Sequence, residues 1–338
     1  MTTPDETPLD ERKATILRAV VEEYIDTAQP VGSGHVADAP GVKVSSATVR
    51  NDMAALEAEG FLVQPHTSAG RIPTDKGYRF FVDHLGSPGR LRTGDAQQVR
   101  TFFAQAHGEI EQMLSDTTRL LTDLTRYTAV VVGPPNEVAT VRSVQLVGLA
   151  PRLALAVLVL SNGVVDKHTV EFDEDVEEAA LSAAGAILAR HLVGRRHDDQ
   201  GRVALGDEPG ADIARLALMA IGVTDRDGEQ VFIGGTSKVA AAFDAVAQVS
   251  EVLRILEEQY VLVGLLRDVL DRGLNVAIGA EVGVEPLAEC SVVVSPYEVD
   301  GEPAGTIGVL GPTRMNYPQA IAAVAVVSKR LSRTLSEG

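Results

Sequence analysis

The chain has 338 residues, 45% of them hydrophobic, a formal net charge of −17 and one cysteine. That length predicts two or three domains with ordinary cores, and the lone Cys290 excludes an internal disulfide and reads as a buried structural thiol. The longest apolar runs, Leu153–Leu160 and Ala320–Val327, are eight residues each, whereas a transmembrane helix needs ~20; with a polar, acidic start at Met1–Pro8 in place of a secretory signal, a cytoplasmic protein without a membrane partner is expected.

The first predicted element is a helix with Asp10 as its cap and an apolar stripe of Ile16, Leu17, Val20, Val21, Tyr24 and Ile25. It ends before Pro30, because the residue preceding a proline is pushed out of the α region. Ser33 starts a short helix over Gly34–Ala39, which Pro40-Gly41 stops. Ser45 then caps a third helix. In it Val49, Met53 and Leu56 mark one buried face, and Ala47, Asn51, Ala54 and Ala58 lie opposite, flanked by Thr48, Arg50 and Ala55. An outward face that is small, polar and singly basic suits insertion into a DNA groove. Asn pairs with adenine, Arg with guanine, and Ala or a Thr methyl touches the thymine methyl. Taken alone, the same residues also describe an alanine-rich surface helix; the order helix, short helix, turn, helix favours a helix-turn-helix.

Gly60 ends the third helix and Phe61–Gln64 reads as a strand. Ser68-Ala69-Gly70 is turn chemistry, Arg71 and Ile72 start back, and Pro73 confines the return to an edge. Thr74 caps a further helix over Asp75–Leu85. The pattern is that of a winged helix-turn-helix over residues 1–86, with Ser45, Ser46, Thr48, Arg50 and Asn51 as candidate DNA contacts on the helix and His66, Thr67, Ser68 and Arg71 on the wing. Lys76 and Arg79 are either a solvated helix face or phosphate contacts.

Charge runs against the usual basic DNA-binding domain: Met1–Leu85 holds eight Lys/Arg against thirteen Asp/Glu. The acidic residues concentrate in the first helix and the tail, while Lys43–Arg79 holds five basic and four acidic residues. Beyond roughly 8 Å at physiological salt exposed charges are largely screened, so weak non-specific affinity and reliance on base contacts are expected.

Residues 87–94 form a linker around Ser87-Pro88-Gly89. Val99, Phe103, Ala106, Ile110, Met113, Thr117, Leu120 and Leu124 then follow alternating spacings of four and three. That is either a coiled-coil seam or a helix laid on a sheet; the flanking Phe102, Leu114 and Leu121 widen the stripe and favour the sheet. Strands are predicted at Thr128–Gly133, Val141–Leu149, Leu153–Leu160 and Val164–Phe172, with Asn162-Gly163 as a hairpin turn. Helices follow at Val176–Leu192, Ala211–Ile221, Val239–Tyr260 and Val261–Arg272, with a short strand Gln230–Gly234 among them. Strands resume at Asn275–Ala280, Ser291–Val299 and Gly305–Leu310, with a turn at Asp300-Gly301, and a last helix spans Pro318–Leu335.

Catalytic and metal chemistry find no footing. The histidines lack metal spacing, there is no cysteine pair, and the glycines fit neither a phosphate loop nor a dinucleotide fingerprint. No cofactor, metal site or enzymatic activity is expected.

Several stretches resemble the HrcA family of bacterial heat-inducible transcription repressors: Gln29–Ser33, Val44–Met53, Pro65–Arg79 and, far downstream, Gly311-Pro312-Thr313-Arg314-Met315-Asn316-Tyr317, with a weaker motif at Val231–Thr236. The resemblance implies a multidomain α/β (α+β) protein. Its parts would be a winged helix over 1–86, a GAF-like domain over 95–172 and 273–338, and a dimerising domain inserted over 173–272. It further implies a homodimer on double-stranded DNA at an inverted-repeat operator, the CIRCE element of chaperone operons, with activity maintained by the GroEL chaperonin. The competing reading is a winged-helix regulator whose GAF-like domain senses a small metabolite, with Thr313-Arg314-Met315 either at a pocket mouth or in a structural loop.

Overall fold

The computed structural model describes residues 9–67, 69–85, 91–105, 110–134, 139–161, 165–196, 205–206, 208–223, 230–239, 246–273 and 275–337. The predicted turn at Asn162-Gly163 lies outside them. The chain is an α+β protein in which every strand pair among the described residues is antiparallel.

The N-terminal unit begins with α1 (Glu11–Thr27), whose first turn is capped by the Asp10 carboxylate accepting from the Lys13 N–H at 2.9 Å. Helix α1 ends at Ala28, which takes a left-handed conformation. Helices α2 (Ser33–Ala37) and α3 (Ser46–Ala58) follow, α2 beginning one residue earlier and ending two earlier than its sequence suggests. The exit of α3 is a Schellman turn: Phe61 N–H donates to the Leu56 carbonyl, Gly60 N–H to that of Glu57, and Gly60 has φ +80°. Strands β1 (Leu62–Val63) and β2 (Ile72–Pro73) form a hairpin, and α4 (Asp75–Asp83) closes the unit. Ile16, Leu17, Val20, Val21, Val49, Met53 and Leu56 make its core, as the periodicity predicts, and Val36 of α2 joins them.

The body is built on a five-stranded sheet of order β7-β3-β10-β9-β8, comprising β3 (Thr128–Val132), β7 (Val231–Gly234), β8 (Val276–Ile278), β9 (Cys290–Val299) and β10 (Glu302–Pro312). Helices α5 (Thr93–Gln105), α6 (Ile110–Thr125) and the C-terminal α11 (Tyr317–Glu337) belong to one side. There Leu114, Leu121, Val324, Val327 and Leu331 bury Ala129, Val131, Val293, Ile307 and Val309. Helices α9 (Val246–Glu257) and α10 (Gln259–Asp271) cover the other face, where Val252, Ile255, Leu265, Leu266 and Val269 bury Val130, Val132, Val292 and Val294. With both faces covered, β3 is buried at every position. It therefore reads in sequence as a continuous apolar run without alternation. Helix α6 lies on the sheet, as the width of its stripe predicts. At the β9–β10 turn Asp300 and Gly301 both have positive φ, +55° and +86°. That is the geometry an Asp-Gly hairpin turn supplies.

The division of the body differs from the predicted boundaries of 95–172, 173–272 and 273–338. Strands β4 (Val141–Ala150), β5 (Leu153–Leu160) and β6 (Val165–Glu171) form a separate three-stranded sheet. Helices α7 (Glu178–Leu192) and α8 (Ala211–Val223) pack on it, joining Leu181, Ala184, Leu188, Ala214 and Ala217 to Ala154, Ala156, Leu158 and Leu160. Strand β7, read from sequence as a stray strand among helices, is an edge of the five-stranded sheet beside β3. The outer face of the small sheet carries Leu153, Leu155, Val157 and Val159, all half-buried, beside Val147 and Leu149, which are 43% and 56% exposed.

Two local devices fasten the body. The Gly234-Gly235 pair lies against α6: a Cβ on Gly234 would stand 2.5 Å from Thr118 Oγ1, and one on Gly235 2.4 Å from Thr122 Cγ2. Along α11, Ser328, Ser332 and Ser336 stand one turn apart beside β9, beyond the point where β8 stops pairing with it. The Ser328 hydroxyl donates to the Pro296 carbonyl, and the hydroxyls of Ser332 and Ser336 accept from the N–H groups of Glu298 and Asp300, each at 2.9 Å.

Cys290 is buried, and burial beside Glu289 pushes its thiol up to about 12. Only the thiolate reacts with alkylating agents. Native protein at pH 8 is therefore expected to resist iodoacetamide and to react fully once unfolded; labelling of the folded chain at the rate of a free thiol would contradict this placement.

Candidate nucleic-acid interface

Helix α3 presents the face that its sequence predicts. Ala47, Arg50, Asn51, Ala54 and Ala58 are exposed, while Val49, Asp52, Met53 and Leu56 are buried. Ser45 caps the helix, its hydroxyl accepting from the Thr48 N–H at 3.3 Å and lying 3.0 Å from the Thr48 hydroxyl. Ser46 is half-buried and hydrogen-bonded to Ser33 Oγ at 3.2 Å, which ties the start of α3 to the start of α2. Thr48 is half-buried at the rim. Arg50 and Asn51 project from the first turns with no side-chain partner among the described residues. Small alanines around one Arg and one Asn leave room for close approach to a base edge, and both polar groups form bidentate pairs with purines.

The carboxylates of α3, which weigh against binding a polyanion, are neutralised in place. Arg12 of α1 grips Asp52 through two bonds, Nε to Oδ2 at 2.8 Å and Nη2 to Oδ1 at 3.2 Å. Lys13 meets Glu59 at 2.7 Å, and Arg71 meets Glu57 at 2.9 Å. The field of a tight pair falls off faster than that of a lone charge, so the exposed Arg50 is not outweighed by the acids behind it. None of these pairs was visible in the sequence, where the partners stand 40, 46 and 14 residues apart.

The hairpin tip carries His66 and Thr67, both exposed. Ser68 lies outside the described residues. Gln64, not singled out in the sequence, holds the tip: its Nε2 donates to the carbonyls of Thr67 at 3.2 Å and Ala69 at 2.8 Å.

Arg71 differs from its expected place at the wing surface. Its backbone pairs both ways with Val31 at 2.9 Å, and its side chain, 16% exposed, turns inward to Glu57. A Cβ on Gly70 would stand 2.3 Å from the Val31 carbonyl oxygen, so glycine is required where the hairpin meets the loop before α2. Arg71 thus joins the hairpin to α3.

The two cations of α4 are also occupied. Lys76 Nζ lies 4.4 Å over the Phe61 ring and 3.4 Å from the Glu59 carbonyl. Arg79 turns away from α3 toward Glu281 and the Val276 carbonyl of the body.

The segment Gly311–Tyr317 runs from the end of β10 through a turn into the start of α11, against α4. Met315 and Tyr317 are buried, the Tyr317 ring packs at a tilt of 50° against Tyr78 with ring centroids 5.8 Å apart, and the Tyr127 hydroxyl accepts from the Asn316 N–H at 2.8 Å. A cavity of about 220 Å³ lies elsewhere, between α10 and the β9–β10 hairpin, lined by Val132, Leu266, Pro296 and Ala304 with Arg267 and Thr306 as its polar groups. Among the described residues no helix is long and apolar enough to cross a membrane, and no three His, Cys, Asp or Glu side chains gather as a metal site would require.

Residues 111–321 match the model of the HrcA protein C-terminal domain. The chain is 39% identical over 335 residues to a heat-inducible transcription repressor HrcA of Pseudarthrobacter chlorophenolicus, covering 96% of this chain and 98% of that protein. It is 38% identical over 346 residues to the protein of the same description from Nocardia farcinica, covering 99% of each. Among solved structures, the crystal structure of a hypothetical protein at 2.2 Å resolution is similar at 25% identity with a TM-score of 0.75, covering 98% of this chain and 99% of that one.

Proposed function

This chain belongs to the HrcA family of heat-inducible transcription repressors, and on that premise we propose that its N-terminal unit is a winged helix-turn-helix reading an inverted-repeat operator, the CIRCE element, as a homodimer. The observation that carries the reading is the outward face of α3: Arg50 and Asn51, without a side-chain partner among the described residues, stand among exposed alanines on a helix preceded by α2 and followed by a hairpin. Ser45, Ser46 and Thr48 set the register of the helix end. His66, Thr67 and Ser68 serve the wing, and Arg71 acts there from behind by bracing it against α3. The protein is a regulator and not an enzyme.

The five-stranded antiparallel sheet between helical layers is the GAF-like domain of this reading. The dimer surface is the face of the β4-β5-β6 sheet opposite α7 and α8. A row of Leu153, Leu155, Val157 and Val159 beside exposed Val147 and Leu149 makes an apolar patch on this face, flanked on β6 by Lys167, Thr169 and Glu171. Such patches on soluble proteins mark association surfaces. A two-fold protein then matches a two-fold operator. Maintenance by the GroEL chaperonin rests on family membership alone.

The test is fluorescence anisotropy of the full chain with an inverted-repeat duplex and a scrambled duplex at one stated salt. A preference of ~10³ or more for the repeat supports the reading; equal weak binding to both, with and without chaperonin and ATP, ends it. Arg50→Ala is expected to cost ~1–3 kcal/mol per half-site and to relax preference at one base pair. Uniform weakening across all sequences would instead make Arg50 a phosphate contact. If chaperonin changes neither the active fraction nor the refolding yield, that part of the proposal falls.

A further inference from the structure

The unit bearing α3 is fastened to the body through one face of α4, and the fastening is polar at both ends. Asp75 accepts from the Ala280 N–H at 3.2 Å. One turn later on the same face, Arg79 donates from Nε to Glu281 Oε1 at 2.9 Å and from Nη2 to the Val276 carbonyl at 2.7 Å, while Nη2 also meets Glu281 Oε2. Glu281 is itself held, accepting from the Ile278 N–H at 3.0 Å. Between the two polar points Tyr78 rests on Tyr317. The turn that receives Asp75 closes in because residue 279 is glycine: its φ is +56°, and a Cβ there would stand 1.9 Å from Asp75 Oδ2. Arg79 and Glu281 are 22% and 33% exposed, so their pair is only partly screened by solvent.

The unit ends with α4 at Asp83 and the body begins with α5 at Thr93, so the two are joined covalently once. Orientation of α3 relative to the rest of a protomer is therefore set by these non-covalent contacts. Resting on the operator reading above, we propose that Asp75, Arg79 and Glu281 are positioning residues for operator recognition: they touch no nucleotide, and they fix the angle at which each protomer presents α3, so that the dimer accepts one half-site spacing. The magnitude is sufficient. A rotation of about 10° about the clasp moves groups roughly 25 Å away by roughly 4 Å, and one base-pair step is ~3.4 Å. A loosened clasp thus lets the two reading helices wander by a base pair, without any change at the DNA-facing side chains.

The experiment measures affinity of the full-length chain for a set of duplexes in which the spacer of the inverted repeat is lengthened or shortened in single base pairs, together with a duplex bearing one half-site. Wild type is expected to peak at one spacing. Arg79→Ala, and separately Gly279→Ala in the body, are expected to keep half-site affinity within about twofold and to reduce the preference for the best spacer by about tenfold. Arg79→Ala is expected to add less in a Glu281→Ala background than it costs in wild type, because the two side chains share one ion pair while Arg79 also holds the Val276 carbonyl. Circular dichroism establishes that each variant is folded, and Gly279→Ala carries the test if Arg79→Ala is not. Unchanged spacing profiles in folded variants overturn the proposal. Loss of half-site binding in Arg79→Ala, with Gly279→Ala behaving as wild type, overturns it in favour of a phosphate contact at Arg79. A wild-type chain that does not distinguish the repeat from a scrambled duplex overturns the operator reading, and this proposal with it.

Discussion

Gly77→Ala is expected to lower the stability of the N-terminal unit by about 3 kcal/mol, at the upper end of what overpacking usually costs. A Cβ on Gly77 would stand 2.3 Å from the carbonyl oxygen of Phe61, which is backbone and cannot rotate away as a side chain does. Phe61 is held from both directions: its N–H donates to Leu56 in the exit turn of α3, and its carbonyl accepts from the Thr74 N–H at 3.1 Å. Gly77 is held as well, its own N–H donating to the Thr74 hydroxyl at 3.2 Å, while that hydroxyl donates to the Gly60 carbonyl at 2.7 Å. To admit one methyl group, α4 must lift from the hairpin and disturb the Thr74 cap, the Schellman turn and the base of the wing together. For a unit of this size the shift corresponds to a fall in Tm of the order of 10–20 °C. Thermal melts followed by circular dichroism read the loss, and hydrogen exchange should locate it in α3 and α4 rather than in β9 and β10. A Gly77→Ala chain that melts like wild type would mean that α4 and the hairpin are free to separate at little cost.

The second large effect is expected at Tyr317, whose ring is fully buried between the body and α4. Tyr317→Ala removes that ring and should cost about 3–5 kcal/mol through lost burial and the cavity left behind. Tyr317→Phe keeps the ring and removes a hydroxyl that donates to the Thr313 carbonyl at 2.6 Å and lies 2.8 Å from Ser291 Oγ. That loss should be smaller, about 1–3 kcal/mol, set by the buried partners left unpaired. Denaturant unfolding of the two variants separates packing from hydrogen bonding. Equal losses would assign the whole effect to the hydroxyl, and the ring would then be incidental to the junction.

Much of the N-terminal unit was legible in its sequence because its signals are local. Asp10, Ser45 and Thr74 cap the helices that they precede, Gly60 ends α3, and the spacing of Val49, Met53 and Leu56 picks out the buried side of α3. What was not legible depends on residues remote in the chain. Arg71 looks like a free wing cation until Glu57 is brought beside it, and Arg79 looks like a surface residue until Glu281, 202 positions away, meets it. In the body, patterning identified strands but carried no information about which sheet each one joins. Strand β7 is four residues long and pairs with β3, which lies about a hundred residues earlier. The Val141–Glu171 strands look no different in sequence from those of the larger sheet, yet they stand apart from it.

The serines of α11 protect the fold from its own copies. Past Val294, one side of β9 has no neighbouring strand among the described residues, and a bare strand margin is a template on which a second chain can lay its backbone. Here the margin is occupied by hydroxyls spaced one per helical turn, which match alternate peptide groups of the strand. Because all three are borne by one helix, they leave together when α11 unravels. Warming that unravels α11 therefore uncovers several adjacent peptide groups at once, and loss of solubility should begin before the central sheet itself has come apart.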